Sequence, residues 1–198
     1  MMPTSSFASY IQATVPVTAS ALAEILAAYT PRILRKNEFL LHQGEVSNEY
    51  LFLEEGILRA FTLDPQGNEI TTFFYTSDQM VFEVASLFTR TTAGESMQAL
   101  TDCRGYSLTL DQLNALFHRL PEFREFGRRM LVRGFADFKL RTLALISQTA
   151  EERYRHLLAT NPALFQHAQL RHIASYLGVT DSSLSRIRSA GGKKPLRG

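Results

Sequence analysis

The sequence predicts an α+β protein in which an antiparallel β-barrel or jelly roll precedes one long helix and a small helical domain. Three observations predict it. Short β-prone runs fill the first 120 residues, no proline interrupts residues 122–148, and the net charge changes sign between the two halves. With 198 residues, 45% of them hydrophobic, the chain can bury a substantial core. We expect domains at residues 1–120 and 149–198, joined by residues 121–148.

The first 120 residues combine strand and turn patterns. A helix capped by Thr18 is predicted before the strands. The turn residues Pro65 and Gly67 predict a hairpin, because proline presets one dihedral angle and glycine accepts a positive φ. The expected strands are residues 38–43, 49–54, 57–63, 69–75 and 96–109.

The charge is unevenly distributed along the chain. Residues 1–120 hold 7 Lys and Arg against 13 Asp and Glu, whereas residues 121–198 hold 14 against 6. A basic second half is typical of a surface that faces a polyanion such as nucleic acid. A basic solvated surface is the alternative interpretation.

The cysteine count and the N-terminus exclude several classes of protein. The single cysteine, Cys103, excludes an internal disulfide, a four-thiolate zinc site and a thiolate-ligated iron–sulfur cluster. No Lys or Arg precedes Arg32, and no apolar run reaches the roughly 18 residues of a membrane span. We expect a cytoplasmic protein with no membrane partner.

The long helix is predicted to contact two partners. At about 1.5 Å per residue it extends about 40 Å. One apolar face of the helix would pack on the β-rich domain. It consists of Phe123, Phe126, Met130 and Phe135. Its other apolar seam would pair with an identical helix across a two-fold axis, with glycines allowing close approach. That seam consists of Gly127, Leu131, Gly134, Phe138 and Leu145. A monomeric core helix is the alternative, in which each glycine costs up to about 1 kcal/mol.

Residues 170–187 follow the helix-turn-helix pattern. Ala174 is small where the second helix crosses, and Gly178 suits a left-handed turn. Ile173, Leu177, Val179, Leu184 and Ile187 supply the apolar angle between the helices.

The exposed face of the second helix predicts binding to double-stranded DNA. Arg186 can donate to guanine, and Ser182 and Ser183 can contact bases or phosphates in a major groove. Further contacts to the DNA backbone are expected from Arg188, Lys193, Lys194, Arg171 and His172.

The β-rich half resembles the cyclic-nucleotide-binding domain of the Crp-Fnr regulators. The residues that carry the resemblance are the run Leu-Leu-His-Gln-Gly-Glu at 40–45, the quartet Tyr-Leu-Phe-Leu at 50–53, and Gly56. The resemblance implies a jelly roll of the cyclic-nucleotide-binding type, a dimerisation helix and a C-terminal helix-turn-helix domain. It further implies a homodimeric, sequence-specific transcription regulator with RNA polymerase as a partner.

The effector pocket departs from the family pattern. Where the family has Gly-Glu and Arg-Ser pairs for a cyclic phosphate, this chain has Glu83-Val84 and Glu95-Ser96. A phosphate needs cationic or backbone donors, and Glu95 would repel it, so we expect no useful binding of cyclic AMP. In a less favoured alternative, Arg90 or Arg104 turns into the pocket and supplies the cation that the phosphate needs. Any effector that binds at Glu83, Ser86, Glu95 and Ser96 would be an unknown neutral or cationic molecule. Equally, these residues can belong to a loop surface that binds no ligand.

Other classes of protein require features that the sequence lacks. A cupin-like metalloenzyme needs clustered histidines, whereas the five here, at 42, 118, 156, 167 and 172, are scattered. We therefore expect no catalytic residues, no metal and no cofactor. A protein-binding module with a basic C-terminal surface stays open, as do haem ligation through one histidine and redox sensing at Cys103.

Overall fold

Turn chemistry and apolar alternation divide the first half of the chain into short strands. The computed structural model describes residues 6–191. Its N-terminal part, here called the β-domain (residues 6–120), contains α1 (Ser6–Thr14), α2 (Ala19–Ala28), β1 (Thr30–Leu34), β2 (Phe39–Leu41), β3 (Glu49–Glu55), β4 (Leu58–Leu63), β5 (Glu69–Tyr75), β6 (Gln79–Val81), α3 (Val84–Thr89), β7 (Ser96–Ala99), β8 (Cys103–Thr109) and α4 (Leu110–Arg119).

The strands form two antiparallel sheets of four strands each. Their orders are β1-β8-β3-β6 and β2-β7-β4-β5. The predicted hairpin joins β4 to β5, where Gly67 has a φ of +83° and the Asp64 carboxylate accepts hydrogen bonds from the backbone N–H groups of Gln66 and Asn68. The predicted α+β class with an antiparallel β-roll is confirmed.

Four features of the β-domain differ from the prediction. The expected strand 96–109 is two strands, β7 and β8, which belong to different sheets. Between them the backbone N–H of Leu100 donates to the carbonyl oxygen of Ile57 instead of continuing a ladder. The elements α1, β1 and β6 were not predicted, and α1 buries Phe7 and Ile11 in the core.

One long helix, α5 (Pro121–Ser147), leaves the β-domain. Proline stands at its first turn, where its missing N–H has no partner to lose. Phe123, Phe126 and Met130 are buried against α1, α4 and the β-domain core. Phe135 was expected on this face, but it is 70% exposed because the helix has by then extended beyond the β-domain.

The C-terminal unit (residues 149–191) comprises α6 (Ala150–Thr160), α7 (Leu164–His167), α8 (Leu170–Tyr176) and α9 (Asp181–Gly191). A capping box at Thr149 and Glu152 begins α6. Leu157, Leu164, Ile173 and Leu184 form its core. Among residues 6–191, no helix is both long enough and apolar enough to cross a membrane.

Candidate nucleic-acid interface and effector pocket

The helices α8 and α9 form the predicted helix-turn-helix. Gly178 takes a φ of +68° at the turn, which a side chain would strain. Thr180 caps α9, because its Oγ1 accepts a hydrogen bond from the backbone N–H of Ser183 at 3.3 Å. Ala174 and Leu184 are fully buried where the helices cross, so the local sterics of this segment are those that the sequence predicts.

The outer face of α9 is polar and open to solvent. Ser182, Arg186 and Arg188 are exposed and Ser183 is half-buried. The Arg186 guanidinium lies along this face, with Nη2 at 3.2 Å from Ser183 Oγ. A side chain in this position can reach the edges of base pairs when the helix enters a major groove. Lys193 and Lys194 lie outside the described residues.

The cations of the helix-turn-helix are not neutralised by nearby acids. Within residues 6–191, no carboxylate lies within 4.0 Å of the charged groups of Arg171, Arg186 or Arg188. Arginines of the β-domain are paired instead, as Arg32 is with Glu49 and Arg104 with Glu55. The helices α8 and α9 therefore carry positive charges that are free to interact with a phosphate backbone.

His172 does not lie where the sequence analysis places it. Its side chain is 5% exposed, and its Nε2 is 3.7 Å from Oε2 of Glu69 on β5. In this conformation His172 cannot contact a DNA backbone, because strand β5 covers it. Arg171, the neighbouring residue in the prediction, is exposed.

Two arginines that the sequence analysis missed hold the C-terminal end of α8. Arg141 of α5 donates to the carbonyl oxygen of Tyr176 at 3.2 Å, and its guanidinium lies 3.8 Å from the centre of the Tyr176 ring. Arg153 of α6 donates to the carbonyl oxygen of Leu177 at 2.7 Å. Carbonyls at a helix end lack partners within the helix, so these contacts fix the orientation of the helix-turn-helix. Their spacing in the sequence carries no signal for them.

The structure brings Glu83 and Glu95 near each other at the candidate effector pocket. Thr72 Oγ1 donates to Glu95, and the Glu83 carboxylate caps α3 by accepting from the backbone N–H of Ser86. Burial, together with the charge of Glu83, raises the pKa of the Glu95 carboxyl. Burial and both carboxylates also raise the pKa of Tyr75. The local potential is therefore negative.

The two serines of the candidate pocket serve the fold. Ser86 is fully buried, accepts from the backbone N–H of Ser47 at 2.8 Å and donates to the carbonyl oxygen of Thr91. Ser96 Oγ accepts from the backbone N–H of Gln43 at 2.9 Å. A small cavity of about 190 Å³ lies nearby, but none of the four predicted pocket residues lines it.

Arg90 and Arg104 were the two candidate cations for a phosphate in the pocket. Neither side chain is directed at Glu83 and Glu95. Arg90 ends α3 with a φ of +58° and donates to the carbonyl oxygen of Ser47 at 2.6 Å. Arg104 is paired with Glu55 at the surface. Both cations already have partners outside the candidate pocket.

The predicted seam of α5 is mostly open. Leu131, Phe138 and Leu145 are exposed, and no atom lies near the position of a Cβ on Gly134. Gly127 is different, because it is buried against the Phe117 ring of α4. Its small size serves packing within the chain, and the interpretation of Gly127 as a site of close approach by a second helix is wrong.

Cys103 is buried beneath the turn at Gly56. Its Sγ is 3.6 Å from the carbonyl oxygen of Ile57, and burial raises the pKa of the thiol. A raised pKa keeps the sulfur protonated and weakly reactive, which disfavours the redox-sensing interpretation.

Comparisons with known proteins agree with this architecture. A family model for the cyclic nucleotide-binding domain matches residues 31–119. The transcriptional activator protein Anr of Pseudomonas aeruginosa is 28% identical over 79% of this chain and 68% of its own length. The transcriptional activator protein FnrA of Stutzerimonas stutzeri is 27% identical over 79% of this chain and 68% of its own length.

Solved structures share the fold over most of the chain. The c-di-GMP-responsive global regulator CLP of Xanthomonas campestris superposes with a TM-score of 0.70 at 16% identity, covering 91% of this chain and 96% of its own. FixK2 of Bradyrhizobium japonicum superposes with a TM-score of 0.69 at 20% identity, covering 86% and 89%.

A β-roll followed by a long helix and a helix-turn-helix defines a DNA-binding transcription regulator, not an enzyme. Within that class, the matches to the domain model and to the Anr and FnrA proteins are specific. Together these matches indicate a regulator of the Crp-Fnr family.

Proposed function

We propose that this chain acts as a homodimer that recognises a specific palindromic DNA site through α9. The observation that carries the proposal is Arg186, which is exposed on the outer face of the helix-turn-helix and has no carboxylate partner among residues 6–191. In this role Arg186 reads guanine, and Ser182 and Ser183 contact bases or phosphates. Arg171, Arg188, Lys193 and Lys194 bind the backbone in a sequence-independent way.

The dimer forms through the C-terminal half of α5 in this proposal. Leu131, Gly134, Phe138 and Leu145 lie along one side of the helix and are not covered by the β-domain. Such an apolar stripe is unfavourable in water and is buried when an identical helix packs against it. Two recognition helices about 34 Å apart would then enter successive major grooves.

The three parts of the chain divide the work. Residues 1–120 form the sensory domain, residues 121–148 the dimerisation helix, and residues 149–198 the DNA-binding domain. RNA polymerase is the partner that the resemblance to the Crp-Fnr regulators suggests.

The sensory pocket does not bind cyclic AMP in this proposal. Glu83 and Glu95 make the pocket negative, and Arg90 is tied to the carbonyl oxygen of Ser47. A cyclic phosphate would lose its hydration without gaining a charge-assisted hydrogen bond. An effector that does enter would be neutral or cationic.

Selection from random duplexes tests the proposal. The full-length protein is incubated with a pool of random oligonucleotides, and the bound fraction is sequenced over several rounds. We expect an enriched motif with two inverted half-sites about one helical turn apart. Recovery of an unenriched pool, or of half-sites without symmetry, contradicts sequence-specific recognition by a dimer. The variant Arg186→Ala is the matched control and should enrich a degenerate motif.

A further inference from the structure

The first helix of the helix-turn-helix is docked on the β-domain. The rings of Phe74 on β5 and Tyr176 on α8 are 5.1 Å apart. The backbone N–H of Thr71 donates to Ser175 Oγ at 3.1 Å. Three residues of the β-domain, Ile57, Phe74 and Leu100, share one apolar cluster with the core of the C-terminal unit. The two parts therefore have a continuous interface.

The middle of this interface is polar and incompletely hydrogen-bonded. Arg59 of β4, 3% exposed, donates through Nη2 to Glu69 Oε2 at 2.6 Å and to Gln98 Oε1 at 3.0 Å. Within residues 6–191, its Nε and Nη1 have no hydrogen-bond partner, nor does Thr71 Oγ1 or either ring nitrogen of His172. Buried polar groups without partners cost free energy. This contact is therefore weaker than its apolar part alone would be.

We propose that this contact is a releasable latch: α8 stays docked beside Glu69 and Arg59 while His172 is neutral, and protonation of His172 opens the contact and frees the helix-turn-helix for DNA. This inference rests on the proposed function and adds its regulation. In a helix-turn-helix complex the first helix crosses the DNA backbone. In the latched state His172 of that helix faces β5, so this side of the helix is not available to a DNA backbone.

The charges around His172 make the latch sensitive to pH. Burial is the largest cause of its lowered pKa, and the positive charges of Arg59 and Arg171 act in the same direction. Glu69 and Asp181 oppose them, and the resulting pKa is about 4, against 6.5 for a free histidine. These groups lie on β4, β5, α8 and α9.

The sign of the pH effect follows from these values. The latched state binds fewer protons than the released state, so the latch is strongest above pH 6.5 and weakens as the pH falls from 6.5 towards 4. At pH 5.5 the equilibrium between latched and released states shifts roughly tenfold towards release.

A tryptophan reporter measures release without DNA. The chain contains no tryptophan, and Phe74 is buried against α8, so Phe74→Trp places a single reporter in the interface. We expect its emission to shift to the red between pH 7.5 and 5.5 while circular dichroism stays unchanged. Tyr176→Trp is the second reporter if Phe74→Trp does not fold.

Two substitutions identify the titrating group. In the reporter background, His172→Gln cannot be protonated and should abolish the shift. His167→Gln, at an exposed position of the same C-terminal unit, should leave it intact. A shift that persists in His172→Gln, or no shift in the parent protein, overturns the latch.

DNA affinity then separates the latch from the proposed function. Binding of the full-length protein to a random 30-base-pair duplex is measured at both pH values and constant salt. If the latched state dominates at pH 7.5, we expect affinity to rise at pH 5.5 by up to roughly tenfold more in the parent than in His172→Gln. An equal rise in both proteins overturns the inhibitory role of the latch. If the protein binds no duplex at either pH, the proposed function is contradicted instead. The fluorescence measurement still tests the latch, because it does not depend on DNA.

Discussion

Gly127 of α5 lies directly against the aromatic ring of Phe117 on α4. A Cβ added at Gly127 would come within 2.6 Å of Phe117 Cζ. Gly134, two turns further along the same helix, has no atom near the equivalent position. Two glycines that look alike in the sequence therefore have different physical reasons to be small.

The variant Gly127→Ala should destabilise the protein through this contact. A methyl group forces the Phe117 ring to move in a packed core, which costs about 1–3 kcal/mol of unfolding free energy and exceeds the gain in helix propensity. Urea denaturation measures the change. Phe117→Leu in the same chain should recover part of it, because the two substitutions are coupled. Equal stability of Gly127→Ala and the parent protein would show that the ring moves at no cost.

The parts of the fold that sequence reasoning predicts are those set by local sterics. Gly178 has the left-handed φ expected of its turn, and Thr18 caps α2 by accepting a hydrogen bond from the backbone N–H of Ala21. These features depend on residues within a few positions of each other. The edge strand β1 was missed because Pro31 and Arg32 weaken its strand pattern, and proline is tolerated at an edge.

In the candidate site, too, some features follow from the local sequence and others depend on contacts between distant parts of the chain. The exposure of Arg186 follows from the helical period of α9 and could be predicted. The burial of His172 depends on the docking of α8 on Glu69, more than a hundred residues earlier in the chain. The role of Gly127 depends on a ring of the preceding helix. No periodic pattern in the sequence records either contact.

Charge at Phe138 should dissociate the dimer. Phe138 is 65% exposed on the open side of α5, and a glutamate there would place two like charges together across the two-fold axis. We expect Phe138→Glu to sediment as a monomer at micromolar concentration while the parent protein sediments as a dimer. Ala136→Glu, exposed on the opposite side of the helix, is the matched control and should remain dimeric. A monomeric parent protein rejects the dimer itself.

Arg186 and Arg188 should affect DNA binding in different ways. Arg186→Ala removes a contact to base edges, so discrimination between the selected site and a scrambled site should fall by about 1–3 kcal/mol. Arg188→Ala removes a phosphate contact. It should weaken both sites alike and reduce the slope of log affinity against log salt by about one unit. Fluorescence anisotropy over a salt series measures both effects, and the reverse pattern would exchange the roles assigned to the two residues.

The negative charges of Glu83 and Glu95 predict how the protein responds to cyclic nucleotides. Two like charges about 4 Å apart at an effective dielectric constant near 20 repel by roughly 4 kcal/mol, nearly three decades of affinity. We therefore expect calorimetry to detect no micromolar binding of cyclic AMP or cyclic GMP to the parent protein.

Glu95→Arg reverses the charge at the position where relatives of this fold place a cation, and Glu83→Gly removes the second carboxylate. The double variant should bind cyclic nucleotides measurably more tightly than the parent protein, because a guanidinium offers the phosphate a charge-assisted hydrogen bond. Arg104→Ala is the control, since Arg104 pairs with Glu55 at the surface and should not alter binding. Micromolar binding by the parent protein, lost in Arg90→Ala, would instead show that Arg90 leaves the carbonyl oxygen of Ser47 to hold the phosphate.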